Sequence, residues 1–144
     1  MRLAVLVLSA LLVIPTADAV ATTTPEEELL WLVNETRTEH GLPPLEWRDD
    51  VAAVAESHSE RMRASGSLHH NDAFFTDAAR SAHGSRAHGE NVAHGGSMQA
   101  VHDAIMDSQE HRAVLLDPRW RGIWIGVVLG SDRFWVTEDF VEPR

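Results

Sequence analysis

Residues 123–141 read IWIGVVLGSDRFWVTEDFV, and this stretch decides the fold. Ile123 to Leu129 is an unbroken apolar run of strand length, the pattern of a central strand buried on both faces. Gly130-Ser131-Asp132 supplies a tight connection, and Phe134 to Val141 returns as the second arm of a hairpin. Upstream, Ser97 can cap a helix with Met98, Val101 and Ile105 on one face, and Arg112 to Leu116 forms a helical turn stopped by Asp117-Pro118. Arg86 to Ala93 reads as a short strand between Gly84-Ser85 and Gly95-Gly96, and a short helix is expected over Asp72 to Ala82.

Two helices precede these elements. Thr24-Pro25-Glu26-Glu27 is a helix start, with a Thr cap, Pro at the first helical position and Glu three residues after the cap. Leu29, Leu30, Val33 and Arg37 share one face of that helix, and Gly41 followed by Pro43-Pro44 ends it. Leu45 and Trp47 lead to a second helix opened by Asp49 and Asp50, with Val51, Val54, Ala55, His58 and Met62 as its stripe and Gly66 as its stop. Helices on either side of a small C-terminal sheet predict an α+β domain layered α-β-α.

Met1 and Arg2 precede an apolar run, Leu3 to Ile14, too short to span a bilayer. With Ala17-Asp18-Ala19 after it, the run reads as a secretory signal peptide over residues 1–19, cleaved after Ala19 or Ala21. Residues 20–25 then form a tether and 26–142 a single domain, extracellular and without an integral membrane segment. The 144 residues carry a net charge of −10 and no cysteine. An acidic chain gains nothing from counterion release, so nucleic acid is excluded as a partner, and the core must hold without disulfides.

Four landmarks occur in order: Leu68-His69-His70-Asn71, Gly89-Glu90-Asn91-Val92, Ser108-Gln109-Glu110-His111-Arg112, and Phe134-Trp135-Val136-Thr137. Together with Leu32-Val33-Asn34-x-x-Arg37 and Gly41-Leu42-Pro43-Pro44-Leu45-x-Trp47 they resemble the CAP superfamily of cysteine-rich secretory, antigen-five and pathogenesis-related proteins, most closely its short secreted bacterial members. The resemblance implies an α-β-α sandwich with a cleft of two His and two Glu, the His pair able to bind zinc. Carried over by motif, His70 and His111 are the two histidines and the metal ligands, and Glu90 is the glycine-flanked glutamate. Ser108 stands where the second glutamate would fall, so the tetrad is incomplete.

Neutral imidazoles are good zinc ligands, and Glu90 would accept a ring N–H and fix the tautomer. The same residues can equally serve structure, a buried His–Glu hydrogen bond tying loops to the sheet. Three functions follow: an extracellular, non-enzymatic module that binds a metal, a lipid or other small apolar ligand, or a protein in its cleft; a metal-dependent hydrolase of peptide or cell-wall material; and a scaffold acting through surface contacts. Ser108 and His111, three apart, have the spacing of a nucleophile and base but lack a glycine-flanked elbow. Of the remaining histidines, His58 is expected in the core and His83, His88, His94 and His102 on the surface, while His69 could replace His70. Trp31, Trp47, Trp124 and Trp135 are expected in packing, and Trp120, between two arginines, partly exposed.

Overall fold

The computed structural model describes residues 22–49 and 52–144. The signal segment and its cleavage sites lie outside the described residues, as do Asp50 and Val51. The elements run α1 (Pro25–Glu39), β1 (Glu46–Trp47), α2 (Ala52–Ser65), a 3₁₀ turn (Asp72–Phe75), α3 (Asp77–Ala82), β2 (Ser85–Gly95), α4 (Met98–Asp107), α5 (Gln109–Leu115), β3 (Gly122–Leu129) and β4 (Phe134–Pro143). The capping box of α1 is complete: Glu27 N–H donates to Thr24 Oγ1, and Thr24 N–H to Glu27 Oε2 at 2.8 Å. Expected as one helix, residues 72–82 are two, because Thr76 interrupts them as an extended N-cap.

The sheet order is β1-β3-β4-β2. β3 and β4 are the antiparallel hairpin read from residues 123–141, β2 pairs antiparallel with β4, and β1 lies parallel to the start of β3. Alternation along the strands sorts side chains onto two faces. Ile123, Ile125, Val136, Phe140 and Ala93 pack with α1, α4 and α5 around Leu29, Val33, Val101, Ile105 and Leu115. On the other face Trp124 and Val141 meet Phe74 and Ala55, and Val92 and Trp135 meet Met62. The glycines mark the closest approaches: a Cβ on Gly126 would lie 2.2 Å from the backbone of α2 at Ala55 and Glu56. The architecture is the expected α-β-α sandwich.

Arg37, which shares the apolar face of α1, is fully buried. Its guanidinium donates to the carbonyls of Pro43, Leu115 and Asp117, the latter two at 2.7 and 3.1 Å. One cation thereby ties α1, the following loop and the end of α5.

Several burial expectations are corrected. β3 is buried on both faces only from Gly122 to Gly126; Val127 and Val128 are half-buried and Leu129 is 65 % exposed, because β1 stops after two residues. Trp31 is 59 % exposed, since Leu29, Leu32 and Val33 already fill the inward face of α1. Trp120 is buried, its indole N–H donating to Val114 O at 2.8 Å while Arg119 lies over the ring. His102 is buried too, its Nε2 hydrogen-bonded to Thr36 Oγ1 at 2.8 Å, which joins α4 to α1. His83, the C-cap of α3, and His88 are half-buried against Phe74 and Trp124, and His94 against Trp135, because the even positions of β2 face α2 and α3 ends against the same aromatic cluster.

Candidate functional site

His70 and Glu90 meet. His70 sits just after the α2 loop, in the residue before Asn71, where Asn71 N–H donates to Glu90 Oε1 at 2.9 Å. The His70 ring donates from Nδ1 to the same oxygen at 2.7 Å. A carboxylate acceptor requires the proton on Nδ1, which in the neutral ring leaves Nε2 with its lone pair. The Glu90 side chain is wholly buried, whereas that of His70 is 53 % exposed. A fixed carboxylate thus orients an imidazole whose other nitrogen is free to meet a ligand. His69 takes no part in this: its Nδ1 faces Ser67 O at 3.1 Å, leaving His70 as the motif histidine. His58 is buried as expected, its Nε2 hydrogen-bonded to His69 O at 2.7 Å, and burial lowers its pKa.

Glu90 also has a partner beneath it that the sequence did not reveal. Asp139 lies directly opposite on β4, so both side chains share the α2 face of the sheet. Glu90 Oε2 and both Asp139 oxygens are buried and receive no N–H or O–H from any other described residue. Burial first, then the Glu90 charge, push the Asp139 pKa well up. Burial and the neighbouring Glu90 carboxylate thus both favour the protonated form of Asp139. Glu138, one residue earlier, points through the opposite face; it accepts from Asn91 Nδ2 at 3.3 Å, and burial raises its pKa to about 7.

Ser108 and His111 occupy the hinge between α4 and α5. Ser108 is the N-cap of α5, its Oγ accepting His111 N–H at 3.4 Å. Its hydroxyl therefore serves the backbone of His111, and no bond joins it to the imidazole. His111 O accepts from Asn91 Nδ2 at 3.1 Å, which pins the first turn of α5 to β2 beside Glu90. The His111 ring is half-buried and makes no hydrogen bond to the described residues. Among those residues no three of His, Cys, Asp and Glu are grouped to hold a metal ion. His70 and His111 thus offer at most two nitrogens, with Glu90 committed to His70 and Asn71. This donor set does not fit a closed zinc site.

Between the 3₁₀ turn and α5, along the outer edge of β2, runs a groove of about 370 Å³. Glu90, Phe75, His88, Val114, Arg119 and Trp120 are among its walls. His70 stands beside it, edge-on to Phe75 with ring centroids 6.3 Å apart. Gly89 lets the Trp120 wall of the groove pack directly on β2: a Cβ there would fall 2.7 Å from Trp120 Cζ2. The motif glycine is needed for space.

This sandwich, with its His–Glu pair beside a glycine-flanked strand, has the features of a known class of proteins. The model of the cysteine-rich secretory protein family, CAP, matches residues 30–140, and the chain belongs to that family. It is 31 % identical over 125 residues to the uncharacterized membrane protein YlbC of Bacillus subtilis strain 168, covering 83 % of this chain and 35 % of that protein. An extracellular SCP-domain protein of Bacillus anthracis is 28 % identical with a TM-score of 0.68, over 82 % of this chain and 40 % of the other. The chain thus spans well under half of either relative. An outer surface protein of Borrelia burgdorferi shares the fold over 83 % of this chain and 93 % of its own, at a TM-score of 0.72 and 18 % identity. Among the described residues no helix is long and apolar enough to cross a membrane.

Proposed function

We propose that the protein is a secreted binding module without a catalytic step of its own. It holds a small, largely apolar ligand in the groove along β2, and His70 Nε2 meets the ligand's polar end. The observation that carries this reading is the His70–Glu90 pair: a buried carboxylate fixes a half-exposed imidazole beside walls contributed by Phe75, Val114 and Trp120. Small-molecule sites have this composition, apolar walls with a few fixed polar groups. The use of Ser108 Oγ as a helix cap does not support serine hydrolysis. Extracellular relatives and the leader-like Met1–Ala19 support secretion.

The test is lipid extraction and mass spectrometry of protein recovered from the medium, beside the His70→Ala and Glu90→Gln variants. Wild type should carry a ligand that both variants lose while staying folded. A clean wild-type extract would overturn the reading. Zinc at His70 and His111 is checked by calorimetry on the same His70→Ala protein and on His111→Ala. Binding that both variants retain would place the metal elsewhere, whereas tight binding lost in both would replace the apolar ligand with a metal.

A further inference from the structure

We propose that the free margin of β3, at the opposite edge of the sheet from the His70 groove, takes up an extended basic segment of a partner polypeptide as an added strand. Backbone direction is the first argument. Arg48 N–H donates to Ile123 O, so Ile123 turns its backbone groups toward β1. Gly130 N–H donates to Arg133 O, so the even positions of β3 face β4. By alternation the N–H and C=O groups of Ile125, Val127 and Leu129 point away from β4, and β1 ends before reaching them; Ile125 is buried, so the accessible margin is Val127 to Leu129. Among the described residues no strand lies beside residues 127–129, a length of about 10 Å.

Sheet edges are usually blunted by charge, proline or a bulge. The β2 edge is bulged between Ser85 and Ala87 and carries Arg86. Ile125 to Leu129 has none of these devices, and it ends in an exposed leucine. Its conformation is that of a template for strand addition.

The flanks specify the partner. An added strand sends alternate side chains to the two faces of the sheet, and a groove waits on each. One, of about 530 Å³, has Leu30, Trp47 and Ile125 as apolar wall and Glu26, Glu27, Asp49 and Glu56 as acidic rim. The other, of about 460 Å³, lies between Val128 and α2 and is rimmed by Glu56 and Glu60. Neither is lined by an arginine or histidine. Glu27 is engaged in the helix cap, Asp49 with Trp47 and Glu60 with Arg63, but Glu26 and Glu56 have no side-chain partner among the described residues. Long cationic side chains fit such grooves, their stems on Trp47 and Leu30 and their heads at the carboxylates. A second copy of the chain fits badly, since edge-to-edge pairing would set Glu56 and Glu60 against their own equivalents in molecules of net charge −10.

Fluorescence anisotropy of the full chain with a labelled heptapeptide of alternating Arg and Val tests the proposal. The control is the same peptide N-methylated at alternate amides, which keeps its charge but cannot complete a ladder. The plain peptide should bind at least about tenfold more tightly than the control, the effect of two or three lost hydrogen bonds. Val127→Pro, which removes an outward N–H at an edge where proline is tolerated, and the double change Glu26→Lys with Glu56→Lys should each weaken binding by a similar factor. Should Val127→Pro fail to fold, amide exchange of wild type replaces it, and the peptide should slow exchange at Val127 and Leu129. Equal affinity for both peptides would reduce the effect to surface charge and overturn the proposal. So would a concentration-dependent dimer that Val127→Pro abolishes.

Discussion

Glu138→Gln should make the protein more stable at pH 8 and leave it nearly unchanged at pH 5. The carboxyl is fully buried, its one hydrogen bond is a 3.3 Å contact from Asn91 Nδ2, and Oε1 has no partner. Burial raises its pKa from 4.5 to about 7. A raised pKa means the native state holds the proton more tightly than the unfolded chain. The corresponding stability is full below pH 4.5, declines as pH rises, and is gone above pH 7. At about 1.4 kcal/mol per pKa unit, the difference between pH 5 and pH 8 is roughly 2–3 kcal/mol. Gln keeps the shape and an acceptor for Asn91 but cannot ionise, so the variant lacks this decline. For a domain of this size the gap corresponds to about 10 °C in melting temperature. Thermal melts of both proteins at pH 5, 6, 7 and 8 provide the assay, and the difference between them cancels the histidines, which titrate alike in each. Parallel pH profiles would refute the placement of a neutral Glu138 in the core.

Other perturbations test other parts of the structure. Gly126→Ala should cost about 3 kcal/mol or more in chemical denaturation, because the new methyl meets helix backbone at 2.2 Å and neither element can yield cheaply. Arg37→Met keeps the volume but leaves three carbonyls without their donor, and should cost at least about 3 kcal/mol by the same measurement. Burial lowers the His102 pKa, so its contribution is present above pH 6.5 and lost as pH falls below that value. His102→Gln should therefore flatten the acid side of the stability profile. Ser108→Ala should cost about 1 kcal/mol as a lost helix cap without changing what co-purifies with the protein.

What could be read from the sequence was what repeats locally. The Thr24–Glu27 box and the stripe of α4 each state their structure within a few residues and stand as read, while the apolar run of β3 gives the strand but overstates its burial beyond Gly126. The His70–Glu90 contact was legible only through the order of the motifs, since twenty residues separate the pair. What escaped depends on long-range register. Nothing local in Thr137-Glu138-Asp139 marks these polar residues as core, yet all three are buried, because β4 lies between two strands and under helices on both faces. Asp139 could be found as the partner of Glu90 only once β2 and β4 were aligned. Trp120 misled for a related reason: its flanking arginines cover the ring or hold nearby carbonyls, so their charge said nothing about its exposure.

The family takes its name from cysteines, and this chain has none. What ties its distant loops is the Arg37 clamp, which closes contacts across 78 and 80 residues of chain with hydrogen bonds alone. A disulfide spanning such a loop would need an oxidant to form and would open under reductant. A guanidinium needs only the folded carbonyls in place. Folding of this domain is thereby independent of redox poise: thiol reagents should leave its melting temperature untouched, and it can reach its native state equally well in a reducing cytosol or an oxidising exterior.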